Sequence, residues 1–163
     1  MKRLSRIKTT AISATMIFGL STPAMAVDQG ITFTGLITEQ CAVLLGVPGT
    51  LGVSPDQTIL SSEESGGNAG TAIVTTNGLG SNIQVVVPTS FAIGPASADD
   101  NVTFAGDYDL SGSTILSDIV GSTTSALSLG VTTISVHASA TKTTGTFEAG
   151  TYQMVPIVRC LSS

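Results

Sequence analysis

From Gly30 to Cys41 the chain reads GITFTGLITEQC, an alternation that puts Ile31, Phe33, Gly35 and Ile37 on one face of an extended segment. Cys41 follows with the same parity if no bulge intervenes. Further β-type runs follow at Ala42 to Leu45, Thr71 to Thr76, Asn82 to Val87, Val102 to Tyr108, Val131 to Ala140 and Thr151 to Cys160. Turn chemistry separates them: Gly46 to Gly52 with Pro48, Ser61 to Gly70, Gly94-Pro95 and Gly145 to Gly150. Asn77-Gly78, between two β-rich runs, predicts a two-residue hairpin. The Ser/Thr-rich stretch from Ser111 to Gly130 accommodates either short strands or a helical turn. Seven or so short strands without a repeat predict an all-β chain folded as an antiparallel two-sheet sandwich.

Composition agrees with that pattern. Gly, Thr, Ser, Val and Ala abound, Trp is absent, and the residues that favour exposed helix faces are scarce. In the last run Tyr152, Met154, Pro156 and Val158 share a face with Cys160, so both cysteines are expected to point inward. Pro156 removes a ladder donor and makes that run an edge strand.

The first residues change the picture of where the protein works. Lys2, Arg3, Arg6 and Lys8 precede an apolar run from Thr9 to Leu20, and Ala24-Met25-Ala26 supplies small residues for cleavage. Residues 1–26 are therefore expected to be a cleaved signal peptide, residues 27–40 an N-terminal donor strand or the domain's own first strand, and residues 41–163 a single sandwich domain. No later stretch reaches the roughly 20 apolar residues of a transmembrane helix, so an exported, soluble chain is expected. Loss of the leader leaves Lys142 and Arg159 against eleven acids, a surface that repels nucleic acid and acidic membranes. In an oxidising compartment, the two cysteines near the ends of the mature chain are expected to bond to each other, with two buried free thiols as the alternative.

The search for chemistry points away from an enzyme. His137 is the lone histidine and falls with Thr133, Ser135 and Ser139 on the solvent-facing parity. No G-x-S-x-G elbow surrounds a serine, and both cysteines are better used as a bridge. Asp99-Asp100-Asn101 and Asp107 to Gly112 hold oxygen ligands but not the spacing of a calcium loop. Ser65 to Gly70 is glycine-rich without the Lys-Ser/Thr of a phosphate cradle. Neither a cofactor nor a metal is expected.

Leader, G-I-T-F-T-G-L-I-T-E-Q-C and the ending F-E-A-G-T-Y-Q-M-V-P-I-V-R-C together resemble the subunits of chaperone–usher fimbriae and the related spore-coat-U-like secreted proteins. The resemblance implies an immunoglobulin-like, pilin-like sandwich that lacks its last strand. It implies a periplasmic chaperone that lends a strand, an outer-membrane usher, and a neighbouring copy or related pilin whose N-terminal strand fills the gap. On this view Ile31, Phe33 and Ile37 are the inserted side chains, Gly35 sits where little room exists, and the exported protein ends in a fimbrium at the cell surface.

A fork remains. Edges flanking a groove one strand wide lie about 9 to 10 Å apart, whereas a disulfide tolerates Cα separations of only about 4.4 to 6.8 Å. Either the groove pinches shut at Cys41 and Cys160, or their strands are direct neighbours in a self-complete sandwich. The first makes a polymerising fibre subunit; the second makes a self-contained, adhesin-like binding module.

Overall fold

A computed structural model describes residues 29–161; the expected leader, residues 1–26, lies outside the described residues. Two units divide at residue 36, and among the described residues every strand falls within 37–161. The described chain contains no helix, and so none long and apolar enough to cross a membrane. In chain order the strands are β1 (Cys41–Leu45), β2 (Gly52–Val53), β3 (Ile59–Ser61), β4 (Gly70–Thr76), β5 (Asn82–Val86), β6 (Val102–Gly112), β7 (Leu116–Val120), β8 (Thr124–Ala126), β9 (Gly130–Lys142) and β10 (Ile157–Leu161). All pair antiparallel in two sheets, giving the expected immunoglobulin-like sandwich.

β9 is the spine of the larger sheet. Its run VTTISVHASA alternates inward Thr132, Ile134, Val136, Ala138 and Ala140 with outward polar residues. One edge pairs with β6 over the whole register from Gly112↔Thr132 to Val102↔Lys142. The other edge is shared: β4 covers Gly130 to Val136, β3 covers Ser139 to Thr141, and Ser62 bridges the change by accepting from and donating to the Ala138 backbone. β1 continues the sheet beyond β4, β2 beyond β3, and β7 beyond β6. The smaller sheet is β10-β5-β8.

Inward side chains form two separate cores. One gathers Ala72, Val74, Ile83, Val85, Tyr108, Leu110, Leu127 and Ile134. Tyr108 ties the sheets together there: its hydroxyl donates to the Thr123 carbonyl at 2.9 Å and lies 2.9 Å from Ser125 Oγ. Tyr108→Phe is expected to cost about 1 to 3 kcal/mol in urea unfolding, because it leaves the buried Ser125 hydroxyl short of a partner. The second core gathers Leu60, Phe91, Ala98, Ala140 and Phe147. In it Phe91 packs edge-on against Phe104, Phe147 and Tyr152 at 5.0 to 6.0 Å. Lys142 closes this core with its ammonium 5.2 Å above the Phe147 ring and donates to the Ser97 and Asp100 carbonyls.

Three sequence expectations need correction. Ile31 to Thr38 forms no strand, because alternation makes an apolar face but a strand also needs a partner edge. Asn77-Gly78 is not a hairpin turn: β4 and β5 lie in different sheets, and neither residue has the positive φ that the favoured two-residue turn requires. Regular pairing of the last run begins only at Ile157, since Pro156 has no N–H and residues 151–156 meet a single bridge, Ile93↔Gln153. A hairpin of β2 and β3 went unforeseen; its turn Ser54-Pro-Asp-Gln57 has Gln57 at φ 59° and Ser54 Oγ donating to Asp56 at 2.6 Å. That bond, reinforced by Thr58, holds the Asp56 carboxyl below its usual pKa. The stretch left open, 111–130, contains β7 and β8.

Candidate functional site: an open groove between two strand edges

β1 pairs only with β4, and β10 only with β5, so each leaves one edge free of ladder partners among the described residues. The disulfide Cys41–Cys160 joins these two strands at one end with Cα atoms 6.1 Å apart, within the range a disulfide tolerates. β1 and β10 belong to different sheets and share no ladder, so they are not hydrogen-bonded neighbours. The edges are pinned together at the cysteines. Beyond them a groove of about 730 Å³ lies between the chain that continues from β1 and the segment that leads into β10.

Each wall has a local cause. After β1 the chain runs Gly46-Val-Pro-Gly49 beside Gly70 and Thr71, with Val47 N–H donating to Thr71 Oγ1 at 2.9 Å. Gly49 is required at this point, because a Cβ there would lie 2.8 Å from the Gly70 nitrogen. The opposite wall is residues 150–158, where Tyr152, Met154, Pro156 and Val158 are half-buried and alternate with exposed Gln153, Val155 and Ile157. The burial alternation read from the sequence therefore holds, and these four residues line the groove together with Gln153 and Val155.

The floor is the middle of β9. Along its inward face Thr132, Ile134 and Ala140 are at most 1% exposed, yet Val136 and Ala138 between them are only half-buried. They lie where β9 changes partner from β4 to β3, and where one core ends and the other begins. The small residues Gly70, Ala72 and Ser62 line the groove with them. The groove is thus a gap in the hydrophobic core, apolar at its base and flanked by two unpaired backbone edges.

The structure brings Cys41 and Cys160 together and leaves the other candidates in solvent. Ile31, Phe33 and Ile37 are 81%, 90% and 86% exposed, and nothing lies within 4 Å of where a Cβ on Gly35 would stand. Residues 29–40 carry no regular secondary structure. The groove-lining residues went unforeseen, since their role depends on which strand covers which part of β9.

The remaining polar candidates serve the fold. Asp99 accepts the Phe91 N–H and Asp109 accepts the Asp118 N–H, both at 2.8 Å, so these acids cap loops. No group of residues suited to a metal ion occurs among the described residues. His137, expected to face solvent, is largely covered: Asp109 lies 3.6 Å from Nε2, Glu63 lies 4.0 Å from Nδ1, and Asp107 is its cross-strand partner. Burial raises the Asp107 pKa, His137 opposes the rise, and Glu63, Asp109 and Asp118 add to it. No protein-family model matches the chain, and no curated protein sequence matches it either.

Proposed function

We propose that the protein is a structural subunit of a fimbria or surface fibre, and that residues 31–37 of one copy complete the sandwich of the next by lying in the groove. The observation that carries this reading is the half-buried stretch Val136–Ala138, a core position left uncovered between two free strand edges. An added strand would satisfy both edges and cover the gap, which is the physics of strand addition: backbone pairing for affinity, alternate side chains for specificity.

Length and period agree. Four wall residues, Tyr152, Met154, Pro156 and Val158, span six residue steps, as do Ile31, Phe33, Gly35 and Ile37 in the tail, about 20 Å in each case. Burial of Ile31, Phe33 and Ile37 supplies roughly 5 to 9 kcal/mol before the cost of association. An exposed apolar tail and an exposed apolar groove on one chain are each costly in water; pairing between copies removes both. The likeness to chaperone–usher subunits adds a periplasmic chaperone and an outer-membrane usher as partners, and the disulfide suits an exported location.

A synthetic peptide of residues 27–40, added to the monomeric fraction of the full chain, tests this. At about 100 times its Kd it should stabilise by about 2.7 kcal/mol, a rise in Tm of roughly 5 to 10 °C. An unchanged Tm in a monodisperse monomer would favour the self-contained binding module instead.

A further inference from the structure

The Asn77-Gly78 pair makes no hairpin, and its contacts go instead to the root of the N-terminal tail. The Asn77 N–H donates to the Gln40 carbonyl at 3.2 Å and so extends the β1–β4 ladder by one residue. The side chain then replaces the next rung: Oδ1 accepts the Gln40 N–H at 2.6 Å, and Nδ2 donates to the Thr38 carbonyl at 3.0 Å. Glu39 lies across Gly78 so closely that a Cβ at that glycine would collide with the Glu39 side chain. Ser81 Oγ, itself buried, donates to the Glu39 carboxylate at 3.3 Å. Residues 38–40 are thereby gripped on the backbone by one residue and seated over the next.

The seat stands at the closed end of the groove, one residue before Cys41. For the tail to enter its own groove it would have to reverse there and run antiparallel to β1. With residues 38–40 as the turn, Ile37 would pair with Cys41, Gly35 with Val43 and Phe33 with Leu45. Ile37 would then have to lie between Cys41 and Cys160, whose Cα atoms are 6.1 Å apart, while an inserted strand needs about 9.5 Å. A longer turn that clears the disulfide must release Thr38, Glu39 and Gln40 from the seat.

Resting on the tail-in-groove reading above, we infer that Asn77 and Gly78 form a seat that holds the tail at the closed end of its own groove and so commits residues 31–37 to a second copy. Asn77 is a positioning residue, acting through the tail, and it is not one of the residues that line the groove.

The test compares the full chain with Asn77→Ala, using isotope-labelled and unlabelled copies mixed and a photo-cross-linking residue in place of Leu36. Asn77→Ala removes two hydrogen bonds, each a factor of about 2 to 10 in an equilibrium constant. The monomer fraction should rise at least about 5-fold, its cross-links should fall within single chains, and those monomers should refuse the 27–40 peptide. Gly78→Ala, which displaces Glu39 and leaves Asn77 intact, should shift the same readouts less. If Asn77→Ala assembles like the wild type, with cross-links between chains, the seat is overturned and the tail-in-groove reading survives. If the variant stays monomeric yet still takes the peptide, the seat is again overturned. If wild-type monomers neither assemble nor take the peptide, both fail.

Discussion

Replacing both Cys41 and Cys160 with alanine is expected to lower unfolding stability by about 4 to 5 kcal/mol. The bridge closes a chain separation of 119 residues, and in the chain-entropy picture a loop of that length confines the unfolded ensemble by this amount. The two strands share no backbone pairing, so removal of the bridge leaves β1 and β10 held mainly by packing of Val43 and Val158 against the first core. In urea titrations the midpoint should fall and the slope should rise, since the unbridged unfolded chain is less compact and exposes more surface. An unchanged midpoint would mean that packing alone pins the closed end.

The second large effect is expected from Phe33→Asp. Phe33 is 90% exposed, so the domain that carries it should keep its Tm within a degree or so. Assembly should weaken by at least about 100-fold, because the variant forfeits the burial of one aromatic side chain, about 2 to 3 kcal/mol, and sets a carboxylate against an apolar groove. Light scattering of the full chain across a concentration series reads the difference. Unfolding of the domain itself would instead assign residues 31–37 to their own sheet. A neighbouring change, Leu36→Asp, lies on the opposite parity and should weaken assembly far less.

What could be read from the sequence was what depends on periodicity and counting. Two cysteines, each on the inward parity of a terminal run, sufficed to anticipate the bridge. The alternation of Tyr152, Met154, Pro156 and Val158 anticipated a wall that faces inward, although it does not pair as a regular strand.

The rest depends on partners distant in the chain. Asn77-Gly78 carries a strong local turn signal, but the sheet to which β5 belongs is decided by β8 and β10, and the pair instead holds Thr38 and Gln40. Gly52–Val53 and Ile59–Ser61 are too short for periodicity to register, and their hairpin shows only in the Ser-Pro-Asp-Gln turn. Val136 and Ala138 read as ordinary core positions of β9. Only the change of neighbour from β4 to β3 leaves them uncovered. His137 followed the polar parity of its strand, yet the acids on β6 and the loop after β3 cover it.

The most direct test of the relation between tail and groove is a crystal structure of the chain with the 27–40 peptide bound. Residues 31–37 should lie between β1 and β10, bonded to both free edges, with Ile31, Phe33 and Ile37 directed inward and Val136 and Ala138 fully buried. A peptide seated elsewhere, or a groove that keeps Val136 and Ala138 half-exposed, would contradict the claim that this sandwich is completed by another copy's N-terminal strand.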